Sequence, residues 1–355
     1  MVSSSAQNKQ YIYVVGDTKL TASVLQAEKK KPLVMAFIGL DDPYRGDSRG
    51  AAGVGRIAAK LLDGRYEYVD ADSLSKTFNH VSGYENQLAA YAEQINQAGG
   101  VDILIGSTGE KFIELLEKKP VIIEGRFNEK FSESRAYMQD IPMGLVSHDL
   151  SQDKLNKEGA AFDLHYPNIK GSLIAVMMGG ACIDIHGIVE NIISKLKHET
   201  GPVTLFVCPS RRTEEYYQEF LDELALQRKD NFPELTVMGK EYNKAISSYN
   251  PYYGLLANAN HIVLVGESGS MISEALYTGK PLHMAHMVHV QMSPLIDQGY
   301  IIDMAEVQDR PFISPSMPRL DVTMEVASSI VLEYKEAKDA LACVLKRSAG
   351  GGPMI

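Results

Sequence analysis

Apolar residues come in short runs separated by amphipathic segments. In the first part of the chain Leu33–Leu40, Tyr66–Val69, Val101–Ile105, Val121–Ile123 and Gly144–Ser147 read as strands, with Tyr11–Val15 ahead of them. Ala51–Leu62 and Tyr84–Gln97 carry the 3.6-residue spacing of helices, and the polar stretch DDPYRGDSRG after Leu40 reads as a loop. A polar segment, SQDKLNKEGAAFDLHYPNIK, then reads as a crossover, and a second series begins. Its strands are Ser172–Met178, Val203–Cys208, Leu235–Met238, the run opening at Val263, and Pro281–Ala285. Its helices are Ile185–Lys197, Glu214–Gln227 and Asn250–Ala259, and Met324–Leu345 forms a terminal helix. Strands alternating with helices predict α/β units with parallel, doubly wound sheets, whose ligands sit beyond the carboxyl ends of the strands.

Composition narrows the picture. A chain of 355 residues suits two domains, and 45% apolar with 23% charged residues is ordinary for a globular protein. The net charge of −10 is spread along the chain, which argues against duplex nucleic acid as a partner. The one basic cluster, Lys29-Lys30-Lys31, reads as a solvated edge. Cys182, Cys208 and Cys343 lack metal-ligand spacing and fit a reducing compartment. No apolar run approaches the roughly 18 residues of a membrane span. The first ten residues lack the apolar core of a signal peptide. The expectation is a cytoplasmic protein without a transmembrane segment, with peripheral membrane association left open.

The chemistry gathers in three stretches that each follow a strand. Val263–Pro281 reads strand, tight turn at Glu267-Ser268-Gly269-Ser270, then a helix stopped by Gly279-Lys280-Pro281. The helix N-terminus offers unpaired N–H groups and a positive dipole end to an anion such as phosphate. Ser268, Ser270 and Ser273 add hydroxyls, and Glu274 is a candidate for a ribose diol. A capped turn without a ligand fits the same pattern. Gly179-Gly180 would let a diphosphate approach the backbone. Arg211 and Arg212, after Ser210, suit phosphate oxygens bidentately, with ion pairs to Glu214, Glu215 or Glu267 as the alternative. Gly46, Gly50, Gly53 and Gly55 lack the spacing of a dinucleotide or P-loop fingerprint and read as a site of substrate approach or as a flexible loop. His283, His286 and His289 have no carboxylate among them, so they read as residues lining the donor side rather than as metal ligands.

Three segments carry a family resemblance: IAVMMGGACIDIH, LFVCPSRRT and NPYYGLLANANHIVLVGESGSMISEALYTGKP. Together with GLVSHD they resemble the plant elongated-mitochondria fission proteins and their bacterial relatives, across most of residues 141–285. The resemblance implies a GT-B-like fold of two Rossmann-like domains facing a cleft. It divides the chain into residues 1–165 on the acceptor side, 166–322 for the nucleotide sugar, and 323–355 as a helix packing back across the domains plus a tail. It implies a glycosyltransferase that takes a nucleotide-diphosphate sugar as substrate, with no cofactor and no metal. The acceptor is unidentified, with lipid-linked acceptors among the candidates. A sugar-nucleotide 2-epimerase and a non-catalytic fission scaffold are the alternatives.

Carried onto this sequence, the resemblance puts diphosphate contacts on Ser210, Arg211, Arg212, Ser268 and Ser270, with Gly179, Gly180 and Glu267 beside them and the ribose on Glu274. His148, oriented by Asp149, becomes the candidate base, with Asp41 and Asp42 as rivals. The chain departs from its relatives at the N-terminus. There DDPYRGDSRGAAGVG stands where they carry a glycine loop ending in histidine.

Overall fold

The computed structural model describes residues 31–40, 46–106, 110–125, 145–179, 184–210, 212–228, 235–239, 249–266, 268–286, 293–305, 310–312 and 317–349. The expected strand Tyr11–Val15 lies outside them. The chain forms two compact units, one of Met1–Asp140, Ser147–Asp149 and Thr323–Ile355, the other of Ile141–Val146 and Leu150–Val322.

The first unit holds a four-stranded parallel sheet. Its strands are β1 (Leu33–Gly39), β2 (Arg65–Asp70), β3 (Ile103–Gly106) and β4 (Ile122–Gly125), in the order β2-β1-β3-β4. Helices cover both faces, which is why β1 is a continuous apolar run rather than an alternating one. One face packs against α2 (Ala71–Thr77), α3 (Tyr84–Gln97) and α4 (Glu110–Leu115) through Leu74, Leu88, Tyr91, Phe112 and Ile113. Phe37 stacks on Phe112 there, with ring centroids 4.7 Å apart. The other face packs against α1 (Gly46–Leu61) and the terminal helix α10 (Val322–Ala349) through Ala51, Val54, Ala58, Ala327, Ile330 and Val331.

Asp102 at the foot of β3 anchors that terminal helix. Its carboxylate accepts from the Leu33 N–H at 3.0 Å and from the Tyr334 hydroxyl at 3.2 Å.

Local chemistry departs from the sequence expectation in three places. Helix α1 starts at Gly46, so half of the expected loop is its first turn. The small α2 forms because Asp70 and Ser73 close a reciprocal capping box, the Asp70 carboxylate accepting from Ser73 N and the Ser73 hydroxyl from Asp70 N. Residues 145–147, expected as a strand, join no sheet. Their backbone is satisfied by side chains instead. Val146 N donates to Ser273 Oγ at 2.9 Å. His148 N donates to Thr323 Oγ1 at 2.9 Å, and that hydroxyl donates back to His148 O at 3.0 Å.

The second unit holds a six-stranded parallel sheet. Its strands are β5 (Ser172–Met178), β6 (Val203–Pro209), β7 (Leu235–Met238), β8 (His261–Val265), β9 (Leu282–His286) and β10 (Ile302–Asp303). The order β7-β6-β5-β8-β9-β10 is the 3-2-1-4-5-6 order of a Rossmann sheet. One face is filled by α6 (Ile185–Leu196) and α7 (Glu214–Arg228) through Ile188, Ile192, Phe220 and Leu224. On the other, Phe162 of α5 (Gln152–His165) meets Phe206 of β6 at 5.8 Å between rings. The residues read as a polar crossover are therefore mostly helix α5, started by Ser151, whose hydroxyl accepts from Lys154 N. This helix belongs to the second unit, so the division falls at Leu150 rather than at the expected 165, because α5 packs with α8 (Tyr252–Asn258).

A buried basic cluster lies at the amino ends of β8 and β9. His261 and His283 are 4% and 0% exposed, and both rings pack on Phe312, with centroids 5.4 and 5.0 Å away. His283 Nε2 lies 3.4 Å from His261 Nδ1, while His283 Nδ1 has no hydrogen-bond partner among the described residues. His283 therefore belongs to the core at the foot of the sheet and does not line the expected donor side. The side chains of His286 and His289 lie outside the described residues. Burial and the neighbouring Lys280 bring His261 down to about 4. Burial, His261 and Lys195 bring His283 down to about 3. Lys195, itself lowered by burial and by Arg310, lies over the Phe312 ring at 5.9 Å.

Both histidines are neutral when folded, whereas an unfolded histidine takes its proton near pH ~6.5. Their stabilising effect is complete above that pH and is lost as the pH falls towards about 4 and then about 3. The expected slope is at most about 1.4 kcal/mol per pH unit for each ring. His283→Leu is expected to flatten it, measured as urea midpoints between neutral and acid pH. Thr323→Val keeps the side-chain shape but strands the His148 N–H and C=O. The expected loss is roughly 2–4 kcal/mol in urea unfolding.

Candidate functional site

In a sheet of this order the connections leave β5 and β8 in opposite directions, so a crevice opens beyond their carboxyl ends. Three of the expected elements meet there. Gly179 N donates to Val265 O at 2.9 Å, carrying the β5–β8 ladder one residue beyond Met178. Gly266, with φ 73°, then turns the chain away from β8 in a conformation that favours glycine. Helix α9 (Gly269–Thr278) starts at once, with Ser268 as its N-cap residue.

The Ser268 side chain makes no capping hydrogen bond. The first turn of α9 thus keeps its N–H donors and its positive dipole end free of that hydroxyl. Ser268 is 8% exposed and Ser270 half-buried. Gly179 is pressed against the same turn. A Cβ on it would lie 2.8 Å from Met271 Sδ and 2.9 Å from Ser268 Cβ. The glycine is thus required by the approach of α9 to the end of β5.

The third element is the turn after β6. Ser210 N donates to Met178 O at 3.1 Å and to Thr213 Oγ1 at 2.9 Å. Arg212 N donates to Ser210 Oγ at 3.2 Å. Thr213, fully buried, donates its hydroxyl to Met178 O at 3.1 Å and so ties the arginine turn to β5. Sequence reasoning gave Thr213 no role, although its place directly behind two arginines was the available signal. Arg212 is exposed, and among the described residues no carboxylate pairs with it. Gly180, Arg211 and Glu267 lie outside the described residues.

Two other expected residues are engaged in the protein itself. The Ser273 hydroxyl donates to Gly269 O at 2.8 Å and accepts from Val146 N, which occupies it as a brace. Glu274 is 1% exposed and accepts a short hydrogen bond from the Tyr252 hydroxyl, so the carboxylate is held from behind by α8. Tyr252, from the Asn-Pro-Tyr-Tyr segment, is a second partner that sequence reasoning did not assign.

His148 and Asp149 belong to the first unit. His148 is 2% exposed, and its backbone is clamped by Thr323 on one side. On the other side it lies against α1, where a Cβ on Gly53 would sit 1.9 Å from His148 O. Arg56 donates to Asp149 O at 3.0 Å, and the Asp149 side chain is half-buried. Gly50 and Gly53 of α1 therefore serve close packing of a helix against this segment rather than a loop. Asp41 and Asp42 lie outside the described residues. Among the described residues no three His, Cys, Asp or Glu side chains gather as a metal would require, and no helix is long and apolar enough to cross a membrane.

Comparison with known proteins gives the context. An uncharacterized protein of Rickettsia prowazekii (strain Madrid E) is 27% identical over 153 residues, which is 41% of this chain and 40% of the relative's length. A glycosyl transferase family 9 structure from Veillonella parvula aligns with 85% of this chain and 98% of its own, at 13% identity and a TM-score of 0.42. A glycosyltransferase from Rickettsia africae aligns with 91% of this chain and 100% of its own, at 11% identity and 0.44. A UDP-GlcNAc 2-epimerase from Neisseria meningitidis, bound to UDP-GlcNAc, aligns with 87% and 94%, at 12% identity and 0.46. A family model described as Mitochondrial fission ELM1 matches residues 141–334, more than half of the chain. With that match across the whole second sheet and its switch point, the chain belongs to the Mitochondrial fission ELM1 family.

Proposed function

We propose that the protein is a glycosyltransferase that binds a nucleotide-diphosphate sugar in its second unit. One observation carries this reading: Gly179, the Ser210–Arg212 turn and the uncapped start of α9 converge at the switch point of a Rossmann-ordered sheet. In this reading the diphosphate lies against the first turn of α9 and takes hydrogen bonds from its N–H groups and from Ser268 and Ser270. Arg211 and Arg212 add guanidinium forks from the β6 side, and Glu267 and Gly180 complete the rim.

As the sugar–phosphate bond breaks, negative charge grows on the departing diphosphate. Donors already aimed at it stabilise the transition state more than the ground state, without a proton transfer. Tyr252 holds the Glu274 carboxylate in one rotamer, from which it would accept from the ribose. The base is assigned to the His148-Asp149 pair of the first unit, Asp149 being its more exposed member.

The burial of the His148 ring at 2% exposure favours a second reading, a scaffold that keeps the nucleotide site and has lost transfer. A third, the sugar-nucleotide 2-epimerase, would use the same diphosphate site with no acceptor.

Thermal-shift titration with UDP, GDP, ADP, dTDP and CMP tests the nucleotide site. A ligand at a hundred times its dissociation constant stabilises the folded chain by about 2.7 kcal/mol. One nucleotide is expected to raise the midpoint. Arg211→Ala/Arg212→Ala is expected to weaken its binding at least roughly tenfold, because each charged hydrogen bond is worth about 1.5–3 kcal/mol. Failure of every nucleotide at millimolar concentration would overturn the reading. Binding followed by hydrolysis or transfer of the sugar separates the enzyme from the scaffold.

A further inference from the structure

Strands β5 and β6 end level, Met178 opposite Pro209, and the arginine turn begins at the next residue. A line of polar groups runs from that turn back to the end of β5. Arg212 N donates to Ser210 Oγ at 3.2 Å, and Ser210 Oγ lies 3.2 Å from Thr213 Oγ1. Thr213 Oγ1 lies 3.1 Å from Met178 O and accepts from Ser210 N at 2.9 Å.

The number of protons decides which way this line runs. A hydroxyl has one proton to give and two lone pairs to accept with. Thr213 is fully buried, so its hydrogen bonds are made inside the protein. Its proton goes to Met178 O, which is nearer than the alternative acceptor, Ser210 O at 3.3 Å. Between the two hydroxyls Ser210 is then the donor. The Ser210 proton is thus spent on Thr213, while its oxygen accepts from Arg212 N. In such a chain each hydrogen bond polarises the next and strengthens it.

We propose that Thr213 is a positioning residue of the nucleotide site. Through Ser210 it sets where Arg212 leaves the turn, and Ser210 serves this relay and not the diphosphate. This role rests on the nucleotide site proposed above. The sequence pattern put a phosphate contact on Ser210, whereas a hydroxyl whose proton is already given has none to donate to an anion. On this side of the site the contact falls to the exposed Arg212, which pairs with no carboxylate among the described residues.

The test is a double-mutant cycle read by calorimetric titration with UDP, GDP, ADP and dTDP. Thr213→Val keeps the side-chain shape, and Ser210 N still donates to Met178 O. The variant is expected to fold, with a midpoint lowered by about 2–4 °C. Its nucleotide affinity is expected to fall at least about fivefold, part of the roughly tenfold that one charged hydrogen bond carries. In an Arg212→Ala background the same change is expected to weaken binding less than about twofold, because the residue it positions is gone. Thr213→Ser restores the hydroxyl and is expected to restore affinity. Ser210→Ala is expected to match Thr213→Val and to add nothing to it, and it supplies the same cycle should the valine variant not fold.

Equal losses with and without Arg212 would mark a merely structural threonine and overturn the proposal. A Ser210→Ala loss that persists in Arg212→Ala would make the serine a direct ligand and would also overturn it. Undiminished affinity in Thr213→Val overturns this role alone. Failure of every nucleotide to bind the wild-type chain overturns the nucleotide site itself, and this role with it.

Discussion

Strand β5 is hydrogen-bonded along both edges, to β6 on one side and to β8 on the other. The rest of the second unit depends on that placement. Because the chain first builds outward from β5 through β6 to β7 and then returns to its other edge, the helices that follow must diverge there. The divergence opens the sheet where Gly179 and the start of α9 meet. Met178 O makes the junction specific. It accepts from Ser210 N and from the Thr213 hydroxyl, which fixes the arginine turn beside the uncapped helix. The convergence of donors is therefore a result of backbone topology, and individual side chains refine it.

The polar groups of the fold are used economically in some places and left open in others. Thr323 satisfies both backbone groups of His148, and Ser273 satisfies Val146 while closing a bond within its own helix. These hydroxyls replace a strand partner, so the segment around 145–149 stays extended without joining a sheet. At Ser48, Ser147 and the Ser268 cap the hydroxyls are not so used. Ser48 and Ser268 lie at the starts of helices that follow a strand. Where backbone demand is met by a neighbouring side chain the structure is closed.

The cluster at the foot of the second sheet shows the opposite economy. His261, His283 and Lys195 are removed from water, and burial above all lowers the pKa of each, with Phe312 packed against both rings. Charge there has no acidic partner among the groups that shift it. The carboxyl end of the sheet carries donors for an anion, whereas the amino end is held together by burial of neutral imidazoles.

The sequence determined most of the secondary structure and the class of the fold. Strands buried on both faces must be continuous apolar runs, and the glycine after Thr278 must end a helix, so β1, β5, β8 and α9 are visible as text. The arginine pair and the serine-rich turn were legible for the same reason, since they follow strands directly. Tertiary structure alone decided how the glycines of α1 are used, because Gly50 and Gly53 answer to the backbone of Ser147 and His148, about a hundred residues away in the chain. It also decided that Glu274 is braced by Tyr252 and that His283 belongs to the core rather than the site. These are contacts between segments distant in sequence, and a local pattern carries no information about which distant group will lie opposite a given side chain.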